Sequence, residues 1–375
     1  MTNLFLYGTL RHGPLRAVVA GETAPEPVDA RLADHAVARE PELHLPFLVR
    51  RPGVVIDGLL LRDVGREAMA RLDAYEGDYR RAPVEVHTDQ GPVQAEAYFP
   101  PDHFVEHPEP WSFDRWCAES GAMTVLAAEE VFAHDPPLAG GVLNGQWPMI
   151  LMRADARLRA ASHEAPARLR HAPSAGDVRW QRRAPLAGDF FKLDRLEIDH
   201  LQFNGTRSGP LPREVLVGAD AALVLPYDPL RDRVLLVEQM RAGPARRGDP
   251  NPWSLEPVAG IIDAGETPEQ SARREGMEEA HVTFSEVRHM FSIYASPGST
   301  TDHFFCFAGL CDLPDDHARH GGLDSEGEDL RLHLVPLDDA VALIETGEVN
   351  VGPIVAMLLW LARARDRLEF APRGT

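Results

Sequence analysis

GIIDAGETPEQSARREGMEEAHV, residues Gly260 to Val282, is the stretch on which the fold turns. Its skeleton is Gly260, five residues, Glu266, seven residues, Arg274-Glu275, two residues, then Glu278-Glu279. A helix begins inside it. Thr267 is placed as N-cap, Pro268 suits the first helical position, and Gln270 stands where a capping box wants Glu or Gln. On that helix Glu275 and Glu279 are four apart and Glu275 and Glu278 three apart, so the three carboxylates share one face. Like charges so spaced repel by roughly 0.2–0.5 kcal/mol per pair, and something cationic is expected to gather there. Oxygen donors from carboxylates and a carbonyl suit a hard divalent ion, Mg²⁺ or Mn²⁺, better than zinc. Such an ion polarises a phosphoryl oxygen and lowers the pKa of a bound water. Three glutamates alone would equally fit a solvated acidic helix face. Six fixed positions are harder to meet by accident. With each residue type at roughly 7% of positions, a chance match is on the order of one in ten million per starting position.

The rest of the composition sets the frame. A chain of 375 residues, 44% apolar and 26% charged, is long enough for two packed domains. Acids outnumber bases by 58 to 38, a formal charge of −20, which argues against gripping nucleic acid or anionic membrane through bulk charge. It leaves room for a nucleotide ligand, because a bound Mg²⁺ inverts the local sign. Cys117, Cys306 and Cys311 form no CxxC pair and no metal spacing, which fits a reduced compartment. The start, MTNLFLYGTLR, lacks the apolar core and cleavage site of a signal peptide. The longest apolar run, Ile354 to Ala362, falls far short of the ~20 residues that span a bilayer. The expectation is a cytoplasmic protein with no nucleic-acid and no membrane partner.

Punctuation rather than composition marks the organisation. From Leu4 to about Pro100, short apolar runs are broken by Gly and Pro, with one helical pattern from Val64 to Tyr75. The Pro-, Ala- and Arg-rich stretch that follows carries one helix near Ser112 to Phe132 and reads as a connector. Beyond it, Ala221–Leu225 and Val234–Val237 flank YDPLRDR as a hairpin, and Phe304–Phe307 and Leu332–Val335 read as further strands. Val341–Ile344 and Ile354–Ala364 read as helices. The expected division is a first domain over 1–105, a partly helical connector over 106–173, and a second domain over 174–375.

The box at 260–282 resembles that of the Nudix hydrolases. Two positions depart from it: Gly276 stands where the family usually has a bulky aliphatic, and His281 where it usually has Gly. Both are packing or capping positions and bear on helix rigidity rather than on ligands. The similarity extends to FFKLDR (Phe190–Arg195), FNG (Phe203–Gly205), REV (Arg213–Val215), VEQMR (Val237–Arg241), WSLEPVAG (Trp253–Gly260), ASPGSTTD (Ala295–Asp302) and EGEDLRLH (Glu326–His333). In this order they resemble the bacterial ADP-ribose pyrophosphatases. The resemblance implies an α/β/α sandwich and a homodimer in which strands before the box help bind the partner's substrate. It also implies Mg²⁺-dependent hydrolysis of a nucleotide sugar, ADP-ribose, to AMP and ribose 5-phosphate. Carried over, the metal ligands are Glu275, Glu279 and the main-chain carbonyl of Ala259, with Glu278 supporting a further ion. Glu326 matches the general base, Phe190 stacks on adenine, and Arg213 and Arg241 hold the phosphates, a role suited to arginine. Thr301-Asp302 stands where these enzymes often carry Ser-Glu.

At the other end, Leu4 to Arg11 (LFLYGTLR) is a strand running into a Gly turn whose backbone N–H groups can face a carboxylate. In LDAYEGDYRR, Leu72 to Arg81, Glu76 ends a helical pattern just before Gly77. Between Tyr75 and Tyr79 its carboxyl would be desolvated, with a raised pKa suited to proton transfer. A helix-ending Glu before a Gly cap is the plainer alternative. The pair resembles the γ-glutamylcyclotransferase/AIG2-like fold, a small mixed barrel with helices. That likeness implies Tyr7, Gly8, Thr9 and Leu10 as the substrate loop and Glu76 as acid/base. The joined order resembles tellurite-resistance proteins of the TrgB type. Two alternatives stay open: a nucleotide-sugar-sensing Nudix module attached to an active cyclotransferase-like enzyme, and hydrolysis of another nucleoside diphosphate derivative.

Overall fold

The computed structural model describes residues 2–21, 23–41, 45–101, 105–162, 168–172, 174–323 and 326–366. The chain divides into two compact units, 1–170 and 171–375.

In the first unit, β1 (Thr2–Leu6), β2 (Val28–Arg39), β3 (Pro46–Val64), β4 (Arg80–Thr88) and β5 (Gly91–Phe99) close into a barrel in the order β1-β3-β2-β4-β5. Alternation along β1 assigns its two faces. Phe5 packs inside the barrel with Leu32, Leu60, Val86 and Ala97. Leu4 and Leu6 pack outside, against α1 (Gly13–Ala20) and α2 (Arg66–Glu76). The segment read as a connector belongs to this unit as far as residue 170; its residues 163–167 and 173 lie outside those described. It carries α3 (Phe113–Trp116), capped by Ser112, then a π-helical turn, α4 (Ala122–Phe132) and the 23-residue α5 (Gly140–Ser162). Ile150 and Ala154 of α5 pack on Ala127 and Val131 of α4. Arg153 and Glu130 form a buried ion pair across the two helices at 2.7 Å. Gly145 and Pro148, both poor helix residues, lie inside α5 and mask it in the sequence.

In the second unit, β6 (Val178–Ala187), β7 (Lys192–His200) and β8 (Leu211–Val217) form a three-stranded antiparallel sheet. The larger sheet runs β13-β14-β9-β10-β16-β15. Its strands are β9 (Ala221–Asp228), β10 (Arg233–Met240), β11 (Trp253–Glu256), β12 (Val258–Ile261), β13 (Glu286–Tyr294), β14 (His303–Leu310), β15 (His320–Gly321) and β16 (Leu330–Pro336). The β9–β10 hairpin pairs only near its turn and then parts, β12 taking up β9 and β11 taking up β10. The helices are α6 (Ala242–Arg247), α7 (Pro268–Ala280), α8 (Leu337–Thr346) and α9 (Gly352–Asp366). Strand β9 is buried nearly throughout, so its run of apolar residues serves two faces. Leu223, Leu225 and Tyr227 join Ala340, Met357 and Leu361 of α8 and α9. Ala222 and Val224 join Ala272 and Ala280 of α7. That is the α/β/α sandwich. Phe284 fills the space between α7 and β14: a Cβ at Gly276 would lie 2.2 Å from its ring, and one at Gly309 2.4 Å. The missing aliphatic at 276 is therefore replaced by an aromatic from the next loop, and the helix is not left loose.

Candidate active sites

Helix α7 starts as its sequence dictates. The Thr267 hydroxyl accepts from the Gln270 N–H at 3.3 Å, and the Gln270 side chain accepts from the Thr267 N–H at 2.8 Å. It ends at His281, a non-glycine in the left-handed region at φ 55°. Against this helix lies β12. Glu279, 2% exposed, accepts a hydrogen bond from the Ala259 N–H at 3.0 Å. Ala259 stands opposite Leu223 of β9. A residue whose N–H leaves the antiparallel ladder turns its carbonyl the same way, so the Ala259 carbonyl also faces off β9. Gly260 leaves the space that Glu275 occupies, since a Cβ would come within 1.8 Å of Glu275 Oε1 and push that side chain aside.

The cation that gathers among the carboxylates is Arg274. Its guanidinium donates to Glu275 at 2.6 Å, to Glu278 at 3.0 Å, to both oxygens of Glu266, and to the Ile261 carbonyl at 3.2 Å. Burial nevertheless raises the Glu275 carboxyl to about 7; Arg274 opposes the rise, and Glu278 and Glu326 add to it. Burial likewise lifts Glu279 to about 8, against the Ala259 N–H, with Glu275 and Glu328 repelling it. Two desolvated carboxylates that repel each other beside an outward carbonyl form an oxygen donor set that fits a hard divalent ion. Among the described residues no three His, Cys, Asp or Glu side chains converge closely enough to enclose one, and Arg274 supplies the local positive charge.

Other residues singled out from sequence fall into two groups. Glu326 is exposed, lies in the loop before β16, and is near enough to repel Glu275. Glu328 of the same loop accepts from the Leu323 N–H at 3.1 Å and is felt by Glu279. Arg241 follows β10 and is felt by Glu279. It is held by Glu256 through two hydrogen bonds of 2.8 and 2.6 Å, a partnership not foreseen although Glu256 lies in the WSLEPVAG motif. Phe190 and Arg213 stand instead on the three-stranded sheet. Phe190, half-exposed at the β6–β7 turn, meets Phe191 edge-on at 4.9 Å, and Arg213, exposed on β8, donates to the Pro212 carbonyl. The Thr301-Asp302 loop is tied to this sheet: the Gly218 N–H donates to the Thr301 hydroxyl at 3.0 Å.

The first unit holds a cavity of about 390 Å³ at the end of its barrel. The loop Tyr7, Gly8, Thr9 and Leu10 and the α2 terminus with Glu76 line it together, so both sequence motifs meet there. The Tyr7 hydroxyl donates to the Tyr98 carbonyl at 2.9 Å, and that of Tyr79 to the Pro46 carbonyl at 3.2 Å. Gly8 lies so close to Pro46 that a Cβ would come within 2.9 Å of it. Glu76 is open to the cavity yet shielded from bulk water, and burial, with repulsion from Asp73, raises its carboxyl to about 8. Asp73 is itself held by Arg81 at 2.9 Å and by the Tyr98 hydroxyl at 2.7 Å, partners the sequence did not reveal. A carboxyl that titrates near physiological pH is available both as acid and as carboxylate, and so can donate or accept a proton. Helix α5 adds Leu143, Asn144, Trp147 and Pro148 to the lining.

Residues 4–118 match the family described as gamma-glutamyl cyclotransferase, AIG2-like, and residues 218–358 match the NUDIX domain. The chain is 38% identical over 193 residues to the ADP-ribose pyrophosphatase of Escherichia coli K12, covering 52% of this chain and 91% of that protein. It is 38% identical over 174 residues to the ADP-ribose pyrophosphatase of Haemophilus influenzae, covering 46% and 80%. Against the GDP-mannose pyrophosphatase of Citrobacter koseri it is 32% identical over 178 residues, covering 47% and 90%. No helix among the described residues is long and apolar enough to cross a membrane.

Proposed function

Because this chain belongs to the Nudix hydrolase family through its C-terminal half, behind an AIG2-like N-terminal domain, we propose that it hydrolyses the pyrophosphate of ADP-ribose to AMP and ribose 5-phosphate with Mg²⁺. The observation that carries this reading is the pair Glu275 and Glu279, desolvated and mutually repelling beside the Ala259 carbonyl, with Gly260 leaving room for Glu275. The greater identity to ADP-ribose than to GDP-mannose pyrophosphatases favours the substrate.

Glu275, Glu279 and the Ala259 carbonyl would hold the ion, with Glu278 supporting a further one. When bound, it supplies polarisation of a phosphoryl oxygen. Arg274, which holds Glu275, also holds both oxygens of Glu266, so it would keep a partner if Glu275 turned to an ion. Glu326 accepts the proton of the attacking water as its oxygen bonds to phosphorus and the anhydride P–O bond breaks. Arg241, gripped by Glu256 through Nε and Nη2, keeps Nη1 for phosphate oxygens. Phe190 stacks on adenine and Arg213 holds phosphate from the three-stranded sheet. That sheet exposes Trp180, Leu186 and Leu216, an apolar set that fits a homodimer in which β6–β8 reach the partner's substrate. In the N-terminal domain, the α-amine of a γ-glutamyl amide held at Tyr7–Leu10 bonds to its own γ-carbonyl carbon. Glu76 as carboxylate takes the proton of that amine and returns it to the departing amine as the amide C–N bond breaks.

Incubating the full chain with ADP-ribose and Mg²⁺ and resolving the nucleotides is the test. AMP is expected, and its absence while another nucleotide sugar is cleaved would redirect the assignment of substrate.

A further inference from the structure

Helix α5 lies beyond residues 4–118, the part matched to the AIG2-like family, yet it closes one side of the N-terminal cavity with Leu143, Asn144, Trp147 and Pro148. It is firmly seated there by the buried Arg153–Glu130 pair and by Ile150 and Ala154 on α4. Asn144 also donates to Asp78, two residues beyond Glu76, at 3.4 Å. We propose that α5 selects the amine half of the substrate: an acyl amide whose amine portion is apolar and uncharged, with Trp147 as the specificity-determining residue.

Three observations support this. Among the described residues lining the cavity there is no Lys, Arg or His, and Asp78 stands beside Glu76, so a carboxylate on the amine half meets an acidic side chain and no cation. Trp147 and Leu143 offer apolar surface for that half instead, in a cavity whose size suits a small organic ligand. Pro148, inside the helix, has no N–H to return to the Asn144 carbonyl, which leaves that carbonyl without its i+4 donor on a turn that lines the cavity. An amide N–H is the complementary donor.

The inference rests on the γ-glutamyl reading only for the acyl half, and the experiment separates the two. The full chain carrying Glu76→Gln, so that amides are not turned over, is titrated calorimetrically with γ-glutamyl anilide, γ-glutamyl n-butylamide, γ-glutamylglycine and acetanilide. The anilide and butylamide are expected to bind about 10- to 200-fold tighter than γ-glutamylglycine, the range a hydrophobic pocket provides. Adding Trp147→Ala should remove that preference, and Trp147→Phe should restore most of it. Equal or reversed preference, or an equal loss for all ligands in Trp147→Ala, overturns the proposal. Acetanilide binding that Trp147→Ala weakens, with no preference for the γ-glutamyl group, keeps the wall and discards the γ-glutamyl reading. Failure of every amide and of acetanilide to bind overturns both. Should Trp147→Ala not fold, the ligand order in the unaltered wall decides.

Discussion

Phe284 offers a measurement of how α7 is braced. Its ring lies where a Cβ at Gly276 would approach to 2.2 and 2.7 Å, and where one at Gly309 would approach to 2.4 and 2.5 Å. Gly276→Ala gains about 1 kcal/mol in helix propensity but forces the ring or helix to move, an overpacking cost of about 1–3 kcal/mol. The net is a loss of up to about 2 kcal/mol. Phe284→Ala alone costs about 3–5 kcal/mol through lost contacts and a cavity. In the double variant the clash has no partner, so the helix gain is expressed and it should be about 1 kcal/mol more stable than Phe284→Ala. The coupling energy then equals the overpacking cost with opposite sign, about −1 to −3 kcal/mol. Urea unfolding of the full chain, followed by circular dichroism, reads it from the midpoints. Any separate transition of the N-terminal unit should stay fixed and serves as internal control. Additivity within about 0.5 kcal/mol would refute the clamp.

Four further outcomes are expected. Glu279 keeps its proton in the folded chain up to about 8, whereas its ordinary value is 4.5; folded protein therefore binds one more proton than unfolded between these values. Metal-free stability should fall as pH rises through that window, by about 1.36 kcal/mol per unit for each such proton, and Glu279→Gln should flatten the slope in EDTA. Glu326→Gln should lower kcat by about 10²- to 10⁴-fold with little change in KM; a raised KM at unchanged kcat would make it a binding residue and turn attention to Glu328. His281→Gly should raise stability by about 0.5–1 kcal/mol, read as a higher Tm, because glycine accepts the φ of 55° without strain. Glu76→Gln should leave ADP-ribose cleavage unchanged, while any cyclotransferase turnover survives EDTA and is lost in that variant.

What the sequence discloses follows the range of the interactions. The start of α7 is legible because its caps lie within four residues, and β9 because both faces bury apolar side chains. The meeting of Tyr7–Leu10 with Glu76 is legible only through resemblance, since about 65 residues separate them and barrel closure joins them. Helix α5 stays hidden: Gly145 and Pro148 interrupt its pattern, and its seat depends on an ion pair with α4. The same limit applies to Arg274, whose hydrogen bonds reach three carboxylates, the Ser271 hydroxyl and a carbonyl thirteen residues back. The Gly276 departure is misleading on its own, because its compensation comes from Phe284, outside the motif.

Strand β9 is hydrogen-bonded on both flanks, by β14 from Ala221 to Tyr227 on one side and by β12 and then β10 on the other. Opening it means breaking ladders to three strands and exposing both cores at once, so its amides should exchange with deuterium only through near-global unfolding. Ala259 is in register with its third residue, Leu223, so its backbone is held by the same pairing although its own N–H goes to Glu279. On the proposed reading, a cation arriving at the Ala259 carbonyl would meet an oxygen already fixed in place. The entropy lost on binding would then be confined to the rotamers of Glu275 and Glu279, with the backbone contributing almost none of it.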